Sequence, residues 1–431
     1  MFTGIHTKHF TLTSLFYGLL ITGYWLLVTG CSPAKPTVSF AVFGDPAEFA
    51  AYEALVAAFG EAHPEIDVRL EHTPSQSAYR QKLATTFSAG TPPDVMLLNY
   101  RRFATFAETG GLEPLGARIA ASDQFSVDDF FEIAIDSFEW NEQLWCVPQN
   151  LSSLVVYLNL DLFAEAGVAL PPNDWTWDDF LQVAQQLTHD HDQDGVIDQY
   201  GVGLSPRLFR VAPFVWQNGG EIVDNQANPT RLTLDDPVSL VALRWFVALQ
   251  MEHQIVPDAV AESAEPSETR LLNGTLAMQF NSRRGVPTYR TITDFEWDVL
   301  PLPRGEETAG ILHSDAYCLS ASAENKDAAW TFIEFANSVA GQTIVAASGR
   351  TVPSLKAVAE SEAFLDPNLP PANARVFIDT ADTLRRVPIM AGWVGVEEAA
   401  NKEIERAFYG QATLEEVLGA MEAITAPYFG R

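Results

Sequence analysis

Basic residues are scarce in this sequence. It carries 26 Lys and Arg against 56 Asp and Glu, a formal net charge of −30 over 431 residues. Nucleic acid is excluded as a partner, because phosphate repels such a polyanion. An acidic surface suits solubility in an exposed compartment and says nothing specific about a ligand. Cysteine is scarcer still: Cys31, Cys146 and Cys318 are the full set. No Cys/His spacing resembles a zinc site. Cys146 and Cys318 stand in apolar, strand-like segments (Leu144-Trp145-Cys146-Val147 and Tyr317-Cys318-Leu319) and read as two buried free thiols. One disulfide is the alternative, which an oxidising compartment permits. Long apolar runs are missing after residue 30, since every later one is short and interrupted by charge. Internal repeats, long low-complexity stretches and catalytic motifs are absent too.

The first thirty residues are different. Lys8 is their only Lys or Arg, and Thr11 to Val28 is mostly apolar, with Leu19, Leu20, Ile21, Trp25, Leu26 and Leu27. Val28-Thr29-Gly30-Cys31 follows. A short positive start, an apolar stretch and small residues before a cut describe a secretory signal. The Cys directly after Thr-Gly resembles the bacterial lipobox, in which that Cys is acylated, typically with palmitate, and becomes the mature N-terminus. A plain transmembrane anchor with an incidental Cys is the alternative, since the stretch is just long enough to span. Acyl chains hold a protein to a membrane by burying methylenes. Residues 1–30 read as the signal and 31–37, with Pro33 and Pro36, as a short tether. Losing Lys8 with the signal takes the formal charge from −30 to −31. The mature body is expected outside the cytoplasm, lipid-anchored to the bacterial cell membrane.

About 400 mature residues suffice for two domains with proper cores. Val38 to Phe43 alternates like a strand. Gly44 breaks it, Asp45 can cap a helix, Pro46 suits its first position, and Glu48 completes a capping-box pattern. Phe49, Tyr52, Leu55, Val56 and Phe59 recur at helical spacing. Ile66 to Leu70 is a second strand; Tyr79, Leu83 and Phe87 mark a second helix; Asp94 to Leu98 is a buried-type strand. Further on, Leu154 to Leu158 and Leu276 to Phe280 read as strands, and Leu240 to Met251 and Ala328 to Ala336 as helices. Thr176 with Asp179, and Thr413 with Glu416, open helices as capping pairs. This alternation argues for parallel α/β sheets. No linker separates two sequential domains, as expected if two α/β lobes share the chain by crossing between them.

Several stretches resemble the extracellular solute-binding proteins of sugar-importing ABC transporters, the maltose-binding-protein-like family. They are Phe43-Gly44-Asp45-Pro46, Phe59-Gly60-Glu61-Ala62-His63-Pro64-Glu65-Ile66-Asp67-Val68, Gly90-Thr91-Pro92-Pro93-Asp94-Val95, Tyr157-Leu158-Asn159-Leu160-Asp161-Leu162-Phe163, Trp175-Thr176-Trp177-Asp178-Asp179-Phe180 and Asn325-Lys326-Asp327-Ala328-Ala329-Trp330. The resemblance implies a two-lobed periplasmic-binding-protein-like α/β fold of type II, each lobe a mainly parallel sheet flanked by helices. It implies a sugar or oligosaccharide held in the interlobe cleft, hinge closure around it, delivery to ABC permease subunits, and no bond made or broken. It places the first crossing near Pro148-Gln149-Asn150, the second near His313 to Tyr317 and the third within Leu355 to Ala372. The first lobe is then 38–148 plus about 317–360, and the second 149–316 plus about 361–431. A monomer is expected, with no required cofactor.

A sugar offers hydroxyls to polar side chains and a C–H face to aromatic rings, so its site wants aromatics among amides, carboxylates and Arg. Such residues belong on loops at strand ends. Asp45 is a candidate, with helix capping its structural role. Tyr100 and Arg101 follow the third strand; Gln149 and Asn150 sit at the first crossing; Trp216 lies in a Gly-rich turn. Asn281 and Arg283 follow the strand ending at Phe280. Maltodextrin binders carry a Trp in that loop, and Arg here admits a different sugar or an anionic solute such as a sugar phosphate or uronate. His313, Ser314 and Tyr317 lie at the second crossing. Arg350 reads as a structural loop residue. Trp393 is read as a stacking platform, because the following apolar stripe (Val396, Ala399, Ala400, Ile404, Ala407) does not need it.

A separate signal runs from Asp190 to Asp198. Asp190, Asp192, Asp194 and Asp198, with the Val196 carbonyl and Gly195 between, match the start of an EF-hand loop. Position twelve is Gly201, so the bidentate Glu is absent. A structural Ca2+ and a metal-free turn are both open. Two rival functions are a secreted glycoside hydrolase, with two carboxylates flanking a glycosidic bond, and a calcium-dependent interaction module.

Overall fold

The computed structural model describes residues 1–3 and 35–430. The apolar leader, Cys31 and the start of the tether lie outside the described residues. Among the described residues no helix is long and apolar enough to cross a membrane.

The chain opens with β1 (Thr37–Phe43), α1 (Pro46–Ala62), β2 (Asp67–Thr73), α2 (Gln76–Ser88) and β3 (Val95–Asn99), the alternation that the sequence predicts. Short helices lead to β4 (Cys146–Pro148). Next come β5 (Leu154–Asn159), α3 (Trp177–Gln186), β6 (Tyr200–Gly203), α4 (Leu208–Gln217), α5 (Pro237–Met251), β7 (Leu276–Ser282) and β8 (Trp297–Pro301). Then follow β9 (Asp315–Leu319), α6 (Lys326–Ala336), α7 (Val339–Ala346), α8 (Trp393–Phe408) and α9 (Leu414–Thr425).

The first lobe holds a five-stranded sheet in the order β2-β1-β3-β9-β4. Strand β1 runs parallel to β2 and β3, while β9 is antiparallel to β3 and β4. The second sheet has the order β8-β5-β7-β6 and is mixed. Strand β7 is parallel to β6, and β5 is antiparallel to both β7 and β8. Strand β9 follows the second sheet in sequence yet inserts into the first. This is the two-lobed α/β fold of type II, with the lobes joined by crossing segments.

The crossings run side by side. Asn150–Leu151 pairs antiparallel with Val352–Pro353, and Ser152 bridges His313. The last passage lies between Leu355, bridged to Phe130, and Asn373, whose Nδ2 donates to the Val299 carbonyl at 3.0 Å. Each lobe has an aromatic core. In the first, Phe40 meets Tyr52 and Phe332 at 5.8 and 4.9 Å between ring centroids. In the second, Trp177 stacks on Trp245 at 4.4 Å and tilts against Phe214.

Three caps follow the sequence rules. Asp45 Oδ1 accepts from the Ala47 and Glu48 amides at 3.0 Å, and Thr176/Asp179 and Thr413/Glu416 form complete capping boxes. Glu48 departs from its expected place. Its carboxyl turns inward and is 4 % exposed, rather than closing a box at Asp45. Gly44 makes this possible: at φ +146° it holds a conformation open to glycine, and a Cβ there would collide with the Glu48 carboxyl.

The free-thiol reading of the cysteines is corrected. Cys146 and Cys318 are direct cross-strand partners on β4 and β9 and form a disulfide, with Cα atoms 4.4 Å apart. Both are fully buried. Antiparallel pairing brings the two Cβ atoms within bonding reach.

Candidate ligand-binding site

Polar side chains gather where the crossing segments meet the lobes. Gln149 Nε2 donates to the hydroxyls of Tyr52 and Tyr317 at 2.9 and 3.1 Å. Asn150 Nδ2 donates to Gln149 Oε1 at 3.1 Å, and Asn150 Oδ1 accepts from the Asp315 amide at 3.1 Å. Ser314 Oγ donates to the Asn150 carbonyl at 2.6 Å. Four of the expected site residues, Gln149, Asn150, Ser314 and Tyr317, therefore tie the crossings together and are buried. Buried amides and hydroxyls need such partners.

Above them sits an acidic pair on one cation. Asp45 gives Oδ1 to the helix cap and Oδ2 to Arg350, whose Nε also meets Glu48 Oε2 at 2.6 Å. Burial pushes Glu48 up to about 7, despite Arg350, with the Asp315 charge adding to the rise. Arg350, read from sequence as a loop residue, holds both carboxylates.

The facing walls meet at Arg101. Its Nε donates to Asn99 Oδ1 at 3.0 Å, and its Nη1 to Glu397 Oε1 at 2.6 Å. Glu397 lies on α8, which packs on α4 and α5 of the second lobe. Phe209, on the first turn of α4, organises the rest. The Arg101 and Arg210 guanidinium carbons lie 5.1 and 5.0 Å from its ring centroid, and the His313 ring meets it edge-on at 5.6 Å. Arg210 Nε and Nη1, His313 Nε2 and Glu397 Oε2 are buried with no hydrogen-bond partner among the described residues. Burial and the neighbouring Arg284 and Arg101 charges pull Arg210 down to about 9. Burial, with Arg210, Arg101 and Arg284, holds His313 well below the usual histidine range.

Beside this cluster lies an apolar cavity of about 210 Å³, lined by Phe43, Leu98, Arg102 and Phe106 and by Ala391 and Val394 from across the cleft. It is smaller than the roughly 300–1,000 Å³ of sites for drug-sized ligands. Thr105 Oγ1 donates to the Ala391 carbonyl at 3.0 Å, and the Val387 amide donates to the Tyr100 hydroxyl at 3.4 Å. The lobes are thus in contact across the cleft.

Trp216, Asn281, Arg283 and Trp393 are buried. Trp216 is 1 % exposed within α4, with the Arg385 guanidinium 4.9 Å over its ring. Asn281 Nδ2 donates to the Tyr289 hydroxyl at 2.8 Å inside the second lobe. Arg283 is 1 % exposed, donates Nε to the Gly349 carbonyl at 2.8 Å and lies against Phe364 and Phe377. Its neighbour Arg284 is exposed, and the Arg284 charge reaches Arg210 and His313. Trp393 begins α8, one turn before Glu397, and is fully buried; its Nε1 has no partner among the described residues. Phe209, Arg210 and Glu397 were not singled out from sequence. A signal existed for Arg210: it is the lone charge in the apolar run Leu208 to Trp216.

Residues 44–343 match the family described as bacterial extracellular solute-binding protein. This chain belongs to that family. Among relatives of this solute-binding protein, an uncharacterized lipoprotein of Streptomyces antibioticus is 27 % identical over 72 % of this chain and 70 % of its own. The diacetylchitobiose binding protein DasA of Streptomyces coelicolor is 23 % identical over 75 % of this chain and 73 % of its own. An ABC substrate-binding protein of Listeria monocytogenes, solved in complex with cycloalternan, superposes with a TM-score of 0.83 at 24 % identity, covering 92 % of this chain and 99 % of that one.

The acidic loop of this solute-binding protein is compact. One carboxylate oxygen each from Asp190, Asp192 and Asp194 lies within 4.8 Å of the others. Gly195, at φ +92°, makes the turn and donates its amide to Asp190 Oδ2 at 2.9 Å. Asp190 Oδ1 is buried without a partner among the described residues, while Asp198 Oδ2 accepts from the His191 amide at 2.8 Å.

Proposed function

We propose that this solute-binding protein captures a sugar or oligosaccharide between its lobes and presents it to the permease of an ABC importer. The observation that carries the reading is the set of buried, unpartnered polar atoms at the cleft: Arg210 Nε and Nη1, His313 Nε2 and Glu397 Oε2. Buried polar groups of this kind are normally bonded, and sugar hydroxyls both donate and accept. The saccharides named for the diacetylchitobiose and cycloalternan binders support the same ligand class. No bond is made or broken in this role. A thermal-shift screen against a saccharide library tests it. A ligand at 100 times Kd should stabilise the protein by about 2.7 kcal/mol; a library with no stabilising saccharide sinks the proposal.

Anchoring belongs to the same proposal. Cys31 is the acylated N-terminus, and the body works as a monomer on the outer face of the membrane. The lipobox-like Val28-Thr29-Gly30-Cys31 and the lipoprotein relative support this. Cys31→Ala should move the protein from the membrane to the soluble fraction of a lipoprotein-processing host. The loop from Asp190 to Asp198 is proposed to hold a structural Ca2+, through Asp190, Asp192 and Asp194 with the Val196 carbonyl and the second Asp198 oxygen. The clustered oxygens fit a hard cation, which would tie the loop together without touching the solute.

A further inference from the structure

The chain has 26 basic side chains against 56 acidic ones, yet its cleft collects arginines. Arg101 and Arg210 flank Phe209, His313 meets the same ring, and the Arg284 charge acts on both Arg210 and His313. The nearby carboxylates are each paired with a cation or an amide, although Glu397 keeps its Oε2 without a partner among the described residues. Glu397 is bonded to Arg101, and Asp45 and Glu48 share Arg350. Asp315 bonds Asn99 and the Asn150 side of the hinge, and burial pushes it toward its neutral form. Among the described residues, neither Arg210 nor Arg284 has a carboxylate partner.

Structural arginines in this protein look different. Arg270 donates to the Glu265 and Ala261 carbonyls and pairs with the Glu265 carboxylate. Among the described residues Arg283 also lacks a carboxylate and keeps an unpartnered Nη1, but its Nε donates to the Gly349 carbonyl and its guanidinium lies against two phenylalanine rings. Arg210 has a ring beneath it, but its Nε and Nη1 are buried and bond nothing among the described residues. A buried guanidinium left without an anion is costly, and the rigid fork of Arg matches a carboxylate or phosphate with two parallel bonds. Phe209 acts through its neighbours as a positioning residue, since guanidinium groups occupy its surroundings.

We infer that the solute carries an acidic group, a carboxylate or phosphate on the sugar, and that Arg210 binds it with help from His313 and Arg284. This rests on the saccharide reading of the cleft and narrows it. Specificity follows from the same groups. A neutral sugar offers Arg210 a hydroxyl but no counter-charge, whereas its acidic counterpart supplies both.

Calorimetry on the intact mature chain tests this with matched probes: glucose, galactose and mannose, each beside its uronate and its 6-phosphate, as mono- and disaccharides. At least one acidic form should bind tenfold or more tighter than its neutral partner, and the gap should narrow as salt rises. Arg210→Gln should close the gap, and Arg210→Lys should restore part of it. If Arg210→Gln fails to fold, Arg284→Gln, at an exposed side chain, should still cost the acidic form several-fold. Neutral sugars binding as tightly as their acidic partners, or a gap that survives Arg210→Gln, overturns the acidic group and leaves the saccharide reading standing. Binding to no member of the panel, neutral or acidic, counts against both.

Discussion

Arg101 and Glu397 meet at 2.6 Å across the cleft, one from the loop after β3 and the other from α8. Their side chains are 13 % and 8 % exposed, so the pair is largely desolvated. Such a pair contributes little net stability, but breaking it by removing one partner typically costs roughly 3–5 kcal/mol, because a charge is left buried alone. The pair therefore acts as a latch between lobes more than as a source of stability.

Glu397→Gln should lower the melting temperature of the unliganded protein and raise its radius of gyration in small-angle scattering. The double variant Arg101→Met, Glu397→Met should recover most of the melting temperature while remaining more open. A single variant indistinguishable from wild type in both readouts would show that the pair does not hold the lobes.

The disulfide joins residues 172 apart. Closing so long a loop restricts the unfolded chain by about 5 kcal/mol on the loop-entropy relation. Cys318→Ser should therefore melt well below wild type. Both sulfurs are buried, so mild reductant should leave the folded protein oxidised, and free thiol should be trapped only as denaturant unfolds it. Trapping two free thiols in the native protein would contradict the bond.

Glu48 gives a pH prediction. Burial raises its carboxyl from 4.5 to about 7. The folded state then binds more protons than the unfolded state between those values, so stability is greatest below about 4.5 and is lost as pH rises through about 7. Glu48→Gln should remove this component. The wild-type melting temperature should fall relative to Glu48→Gln across that window, and parallel curves would sink the assignment.

Calcium should raise the melting temperature, and chelator should lower it. Asp192→Ala should abolish the response without altering solute affinity, since the loop lies apart from the cleft residues. Superimposable melting curves in calcium and in chelator would leave the loop a metal-free turn.

Local features were legible in the sequence. Alternation gave β1 to β3 and the helices between them, and the pairs Thr176/Asp179 and Thr413/Glu416 marked helix starts correctly. What required the fold was long-range. The Cys146–Cys318 bond depends on the register of β9 against β4; the resemblance returns the chain to the first lobe near Tyr317, but nothing in the local sequence sets Cys318 opposite Cys146. Glu48 fits a capping box by spacing, but the half-buried Arg350 draws it inward. The site was half legible. Arg101 and His313 were expected and reach the cleft, whereas Arg283 is buried between Gly349 and the rings of Phe364 and Phe377, and its neighbour Arg284 is the exposed one of the two. Phe209 and Arg210 sit in an apolar helix whose pattern reads as core.

The most direct test of the account is a crystal structure of the mature chain with the tightest-binding saccharide from the screen. The sugar should lie between the lobes, bonded to Arg210 Nε or Nη1 and to His313 Nε2. A saccharide bound outside the cleft, or one in the cleft that leaves both of those side chains untouched, would contradict it.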